Sequence, residues 1–496
     1  MAGHPSYDQL TAAFLRMHRL DHLQQIVSWD QATFMPPGGA EARGAALGEM
    51  AALLHRLRTE PQLAALLESA EAEPLDDVGR ANVREMRRAW RRANALPEEL
   101  VREASVAASR CEHAWRTQRP ANDWRGFAPN LREVVRLARR EATLLAERAG
   151  TGRYDALMER FEPGMTSREV ERLFGAMKTW LPGLVARARA RQAQAAPIEP
   201  VGPFPIAAQR ALCERVMRLL DFDFASGRLD VSAHPFSGGV PEDVRLTTRY
   251  GEDEFERSLM GTIHETGHGR YEQNRPRPWL GQPISEARSM AIHESQSLSF
   301  EMQLGRGRAF VGLLAPLVVE HLGEQAAFAP DNLARLFTRV RPGLIRVDAD
   351  EVTYPAHVIL RFEIERALIE GEVEVDDIPA LWDEKMAQLL DLDTRGDYRN
   401  GPMQDIHWPS GAFGYFPCYT LGAMYAAQWF AAIRRGAPDL DAQIARGDLS
   451  TVFGWLREHV WLAASRYETD ELTRRATGTS LDAAHLRAHL EARYLA

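Results

Sequence analysis

Two histidines four residues apart, with a glutamate directly after the first, stand at His264, Glu265 and His268. They can act together if the backbone between them is helical, because residues i and i+4 of an α-helix lie one turn apart on the same face. The chain before them supplies that helix: Phe255, Leu259 and Ile263 recur every fourth position as a one-sided apolar stripe. Two imidazoles so placed can aim one nitrogen each at a single ion, and neutral imidazole is a preferred zinc ligand. Glu265 then points beside the ion, where it can take a proton from water as a general base.

A catalytic zinc takes a third protein ligand and keeps a position open for water. The extended form of the motif is absent, since Tyr271 and Asn274 occupy the places of its glycine and third histidine. Glu272 lies one further turn along, but three successive turns span about 12 Å and cannot converge on one ion, so it is rejected. The next helical stretch, EARSMAIHESQSLSFEMQL, offers Glu286, Glu294 and Glu301. Glu294 shares a face with Met290, Ala291, Leu298 and Glu301, an otherwise apolar side that should meet the core. A carboxylate there requires either a buried cation such as Arg or Lys or a metal. The two-histidine site one short connection upstream favours the metal. Glu301 fits better as the acceptor for a ligand histidine.

Residues 7 to about 184 show apolar spacing of helical period, broken at MPPGG and near Pro97. Four prolines between 195 and 205 then interrupt it, and we read a surface loop there because the pattern resumes at once with QRALCERVMRLL. Residues 228–250 alternate β-branched and polar positions around Gly-Gly, predicting a small sheet or hairpin beside the metal helix. A second helix is expected over about 285–305, with loops near 341 and over 399–418. The expectation is a mostly α protein in one catalytic domain, residues 1–496, with a mainly helical lobe over 1–195 and a metal- and substrate-binding part over 206–496.

The net charge of −9 comes with no basic stripe, which argues against a nucleic-acid partner. Cys111, Cys213 and Cys418 are too far apart for a thiolate zinc site and read as buried thiols. The first residues lack a basic patch followed by an apolar run, and no stretch reaches membrane-spanning length, so the cytoplasm is the expected location.

Six strings, HPF at 234–236, DVRLTT at 243–248, HETGH at 264–268, HESQS at 293–297, IRVDAD at 345–350 and GPMQDIHW at 401–408, resemble those of the carboxypeptidase Taq family of metallocarboxypeptidases. The WDQATFMPPGG segment from Trp29 is similar to that family's amino-terminal helices. The resemblance implies His264, His268 and Glu294 as metal ligands and Glu265 as base. It further implies a nearly all-α fold with a deep groove like that of the larger neurolysin-like peptidases, a homodimer, and one zinc, or cobalt, per chain. Its implied activity is broad removal of single residues from peptide carboxyl termini; the alternatives are an endo-oligopeptidase of the neurolysin kind or a non-catalytic metal-binding helical protein.

Peptide hydrolysis builds negative charge on the carbonyl oxygen, so a donor beside the metal lowers the barrier. His407, Tyr415 and Tyr419 are the candidates, in a Gly-, Pro- and aromatic-rich segment, DIHWPSGAFGYFPCYTLG, expected to be loop rather than continuous helix. Gln404 can touch substrate, or with Asp405 hold that loop in place. An exopeptidase must also recognise a free carboxylate, for which Arg346 offers a planar fork unless Asp348 or Asp350 pairs with it. Arg245 is expected to pair with Asp243 or Asp230 and steady the sheet, and His234 is a further candidate near the substrate.

Overall fold

A computed structural model describes residues 4–232 and 235–495. Helices dominate it, joined by short turns, with one three-stranded sheet. Among the described residues no helix is long and apolar enough to cross a membrane. The breaks read from the sequence fall where chain chemistry demands them. One helix ends at Ala93 and the next starts at Glu98, behind the extended Pro97, and the proline-rich run separates helices Leu181–Gln192 and Ile206–Leu219.

Four amino-terminal helices, Pro5–Thr33, Ala40–Arg58, Gln62–Ala72 and Asp77–Ala93, close on a core of their own that includes Leu10, Phe14, Leu67 and Met86. A much larger core runs from Leu100 to Tyr494. Charged groups join the two. The Arg288 side chain, 1% exposed, donates to Glu85 Oε1 on the fourth helix at 3.0 Å, and Arg88 donates to Glu468 at 3.0 Å. A guanidinium buried so deeply is tolerable only with such a partner.

The sheet consists of β1 (Gly227–Val231), β2 (Ser237–Val240) and β3 (Asp243–Thr248), in the order β1-β3-β2. β2 and β3 form an antiparallel hairpin, while β1 runs parallel to β3 with Leu229 opposite Leu246. Leu229, Val244 and Leu246 bury one face of the sheet against Met217 and Phe222. Arg245 forks onto Asp243 at 2.6 and 2.8 Å and lies over the Trp29 ring.

The motif helix, Glu256–Gln273, crosses the glutamate helix, Met290–Leu298, at the closest range two backbones allow. A Cβ on Gly267 would sit 2.5 Å from the Gln296 carbonyl oxygen and 2.7 Å from Ser297 Cα. The other side of the glutamate helix meets helix Pro417–Gly436, where a Cβ on Gly422 would lie 2.7 Å from the Glu294 side chain. Two glycines thus let three helices stack through the plane of the site. The glutamate helix starts later than the sequence pattern suggests, because Ser289 caps it by accepting from Ile292 N at 3.1 Å. Its continuation, Ser299–Gly305, widens into a π-helix, a local feature that recurs at functional sites.

The carboxyl-terminal helix, Ala484–Leu495, is latched onto this region. Glu351 accepts from Tyr494 Oη at 2.8 Å, contacts His489 Nε2 at 2.6 Å and pairs with Arg493 at 3.0 Å, while Arg493 also donates to the Met302 carbonyl of the π-helix. Against the effect of burial, Arg493 and His489 hold the Glu351 carboxyl well below the usual carboxylate range. A depressed folded-state pKa contributes stability above the unfolded value of about 4.3 and loses it as pH falls toward the folded one. Glu351→Gln is therefore expected to cost about 3 kcal/mol near neutrality. Urea midpoints of parent and variant should differ fully above about pH 5 and converge as acid is added. A gap independent of pH would contradict the charge-based account.

Candidate metal centre

The motif helix and the glutamate helix bring one donor atom each from His264, His268 and Glu294 to within 4.8 Å of one another. His268 Nε2 lies 3.6 Å from Glu294 Oε2, the separation expected of two ligands around one small cation. The His264 and His268 rings meet nearly at right angles, 81°, so their nitrogens converge rather than stack.

Neither imidazole is free to turn. His264 Nδ1 contacts Glu301 Oε2 at 3.0 Å, and Arg306 donates to the other oxygen of Glu301 at 2.7 Å. His268 Nδ1 contacts Nδ1 of His293 at 2.6 Å. In turn His293 Nε2 meets Glu272 Oε1 at 2.9 Å, and Arg275 donates to Glu272 Oε2 at 2.6 Å. Each chain engages an Nδ1, leaving Nε2 to face the cluster. Ser295 and Gln296, within the HESQS string, accept from the Trp429 and Trp461 indoles at 3.0 and 2.8 Å, pinning the helix from behind.

Glu265 is 5% exposed, and its Oε2 makes no hydrogen bond among the described residues. Burial pushes its carboxyl up to about 7, against the pull of His264, and the charges of Glu294 and Glu301 add to the rise. Burial likewise raises Glu294. For His268, burial first and then the neighbouring His293 and His264 disfavour the charged form, leaving the neutral imidazole that a metal requires. Burial opposes protonation of His264 as well, but the Glu301 hydrogen bond and the Glu294 charge outweigh it and lift the imidazole to about 9. The Glu301 charge also raises Glu294, and carboxylates so crowded, with imidazoles turned toward them, call for positive charge at their centre. The donor set suits a divalent cation.

The other sequence candidates gather around Arg346 and Tyr419. Arg346 is 5% exposed and pairs with Asp405 through Nε at 3.1 Å and Nη2 at 2.8 Å, while Nη1 donates to Tyr354 Oη at 3.0 Å. Its partner is thus neither Asp348 nor Asp350, which are close in sequence only. Asp350 instead accepts from Arg341 N, Val352 N and Thr353. Gln404 accepts from Arg346 N at 2.7 Å and donates to the Leu344 and Asn400 carbonyls at 3.0 and 2.9 Å, so it ties the two loops together. His407 Nε2 meets Tyr419 Oη at 3.1 Å. Burial, against Asp405, pushes the His407 imidazole down to about 3, so it is neutral at ordinary pH.

Tyr415 and Tyr419 pack edge to face at 5.2 Å, and burial raises both phenols, with the Glu294 charge adding to each. Tyr415 lies in the expected loop. Tyr419 does not: Pro417 opens a helix at its first turn, a position where proline's missing N–H does no harm, and Tyr419 projects from that turn. His234 lies outside the described residues. Tyr354 and His293 were not singled out from the sequence. His293 carries no local signal, since its partners His268 and Glu272 lie on another helix, while Tyr354 pairs with Arg346 eight residues before it.

Nitrogen and carboxylate donors converging from two packed helices, with an unpartnered buried glutamate alongside, mark a metallopeptidase as a class. The chain belongs to the carboxypeptidase Taq (M32) family of metallopeptidases, whose sequence profile matches residues 9–494. It is 39% identical over 489 residues to thermostable carboxypeptidase 1 of Thermus thermophilus, covering 96% of each protein. Carboxypeptidase 1 of Bacillus subtilis is 33% identical over 486 residues, again with 96% of each covered. Among solved structures, metallocarboxypeptidase 1 of Trypanosoma cruzi superposes with a TM-score of 0.97 at 46% identity over 100% of both chains. A Pyrococcus furiosus carboxypeptidase gives 0.94 at 34% identity over 99% of both. The mostly helical frame and the small sheet are those of this family, and the chain is a metallocarboxypeptidase by membership.

Proposed function

We propose that the protein is a zinc-dependent carboxypeptidase that releases single residues from peptide carboxyl termini with broad side-chain preference, using Glu265 as the base. The observation that carries this reading is the convergence of His264, His268 and Glu294 beside the buried, unpartnered oxygen of Glu265. Two imidazoles and one carboxylate, without a thiolate, form a ligand set suited to zinc and leave room for substrate. A cation held there supplies Lewis-acid polarisation of the scissile carbonyl and makes water easier to deprotonate.

The chain's own groups do the rest. Glu265 accepts the proton of the attacking water and passes it to the departing amine. Tyr415 and Tyr419, kept protonated by burial, are donors suited to the oxygen on which charge grows, and the neutral His407 holds Tyr419 in place. Arg346 uses its Nε–Nη2 edge on Asp405 and one Nη1 N–H on Tyr354, which leaves one N–H on each terminal nitrogen that a substrate carboxylate could take. Anchoring by the terminal carboxylate rather than by a side chain accounts for broad preference.

Mass analysis of a peptide digest tests this reading: products should shorten one residue at a time from the carboxyl end, and a chelator should stop the reaction. Amidating the carboxyl terminus should lower kcat/KM by about 10–100-fold, the worth of one charge-assisted ion pair of 1.5–3 kcal/mol. Arg346→Ala should produce a comparable loss on the free peptide and little further loss on the amidated one. Internal cuts at an undiminished rate would favour an endo-oligopeptidase and remove Arg346 from its role.

A further inference from the structure

The two imidazoles that face the cluster are supported differently. His264 leans directly on a carboxylate, Glu301. His268 leans on another imidazole, His293, which stands between it and the carboxylate of Glu272. The His268 and His293 ring centroids are 4.6 Å apart and the planes are tilted by 41°.

Following the hydrogen bonds along this chain gives a pattern that satisfies each contact. Arg275 cannot give up its proton, so it donates to Glu272 Oε2, and Glu272 is an anion held at about 2 by Arg275 and His293 despite its burial. Glu272 Oε1 can therefore only accept, which places a proton on His293 Nε2. With Nε2 carrying the proton, His293 presents Nδ1 to His268 Nδ1–H as the acceptor. That in turn leaves the lone pair of His268 on Nε2, the atom 3.6 Å from Glu294. The terminal Arg275 is anchored by donating to the Ser285 carbonyl at 2.6 Å, so the chain starts from a fixed point in the loop that leads into the glutamate helix.

We propose that His293 is a positioning residue for the metal centre: by accepting from His268 Nδ1–H and donating to Glu272, it locks His268 in the tautomer and orientation that present Nε2 to the cation. The inference rests on the reading of His264, His268 and Glu294 as ligands, and goes beyond it by assigning a role to a side chain that binds neither metal nor substrate. It also gives Glu272 a function: too far along the motif helix to ligate, it reaches the site through one intervening ring.

The test is zinc affinity of the full chain, stripped and titrated against a chromophoric chelator, for the parent, His293→Ala and His293→Gln. His293→Ala is expected to raise the zinc dissociation constant by about 10–100-fold. Glutamine keeps an acceptor for His268 and a donor for Glu272, so His293→Gln should come back to within about threefold of the parent. Equal affinity in the parent and His293→Ala overturns the assignment of His293 alone; a parent that binds no zinc overturns the ligand reading with it. A second measurement needs no variant: nitrogen-15 shifts of the histidine side chains in the zinc-loaded parent should show His268 protonated at Nδ1 and His293 at Nε2. A His268 bound to zinc through Nδ1, or unprotonated there, overturns the proposal even if His293→Ala fails to fold.

Discussion

Glu265→Gln is expected to lower kcat by about 10²–10⁴-fold while leaving KM and bound zinc near the parent values. The substitution keeps the size of the side chain and removes only its capacity to take a proton. Its Oε2 has no partner among the described residues, so the exchange breaks no recorded hydrogen bond at that atom. The carboxylate is also not one of the three groups whose donor atoms converge, so metal content should persist. Steady-state kinetics on a peptide with a free terminus, read beside zinc content by atomic absorption, checks both halves. Loss of zinc in step with activity would show that Glu265 supports the ligand cluster, and its role as base would fall.

The second large effect is expected from a residue with no side chain. Gly267→Ala introduces a methyl group 2.5 Å from the Gln296 carbonyl oxygen and 2.7 Å from Ser297 Cα. Both are backbone atoms of the glutamate helix, so no rotamer change can relieve the contact, and the two ligand-bearing helices must separate. Overpacking of this kind costs about 1–3 kcal/mol. The displacement moves Glu294 away from His264 and His268, so zinc affinity should fall by at least about tenfold, as for ligands left poorly oriented. Gly261→Ala on the same helix is the control: nothing lies within 4 Å of its added Cβ, and alanine favours helix, so stability should hold or rise slightly. Thermal melts and zinc titrations of the two variants compare steric closeness with generic loss of glycine. A Gly267→Ala protein that binds zinc like the parent would contradict the tight crossing.

Periodicity carried the parts of this architecture that depend on neighbours in sequence. The spacing of Phe255, Leu259, Ile263, His264 and His268 is a local helical property, and the structure places the last four on one helix with Phe255 at its N-cap. Glu294 could be singled out because a carboxylate on an apolar stripe is costly without a partner, and it stands within ligand distance of the histidines. Alternation likewise marked the sheet, though not the parallel pairing of β1 with β3, which depends on how the chain returns. Local reasoning failed where the partner is remote. For Arg346 it offered Asp348 and Asp350, whereas the ion pair forms with Asp405. His293 sits next to Glu294 in sequence but points elsewhere on the helix, and only the crossing of two helices reveals that Glu272 answers it. Glycine, proline and aromatic residues around Tyr419 suggested continuous loop, but proline at a helix start breaks nothing.

The buried pair of Arg288 with Glu85 also bears on how quickly this protein can assemble. The two residues are 203 positions apart in the chain, and Arg288 immediately precedes the Ser289 cap of the glutamate helix. Closing so long a segment is entropically slow, and contacts of this separation dominate the time scale of folding. Secondary structure should appear early in refolding, while the ordering of the Glu294 strut waits for the amino-terminal helices to dock. Assembly of the His264, His268 and Glu294 cluster is then expected late in refolding.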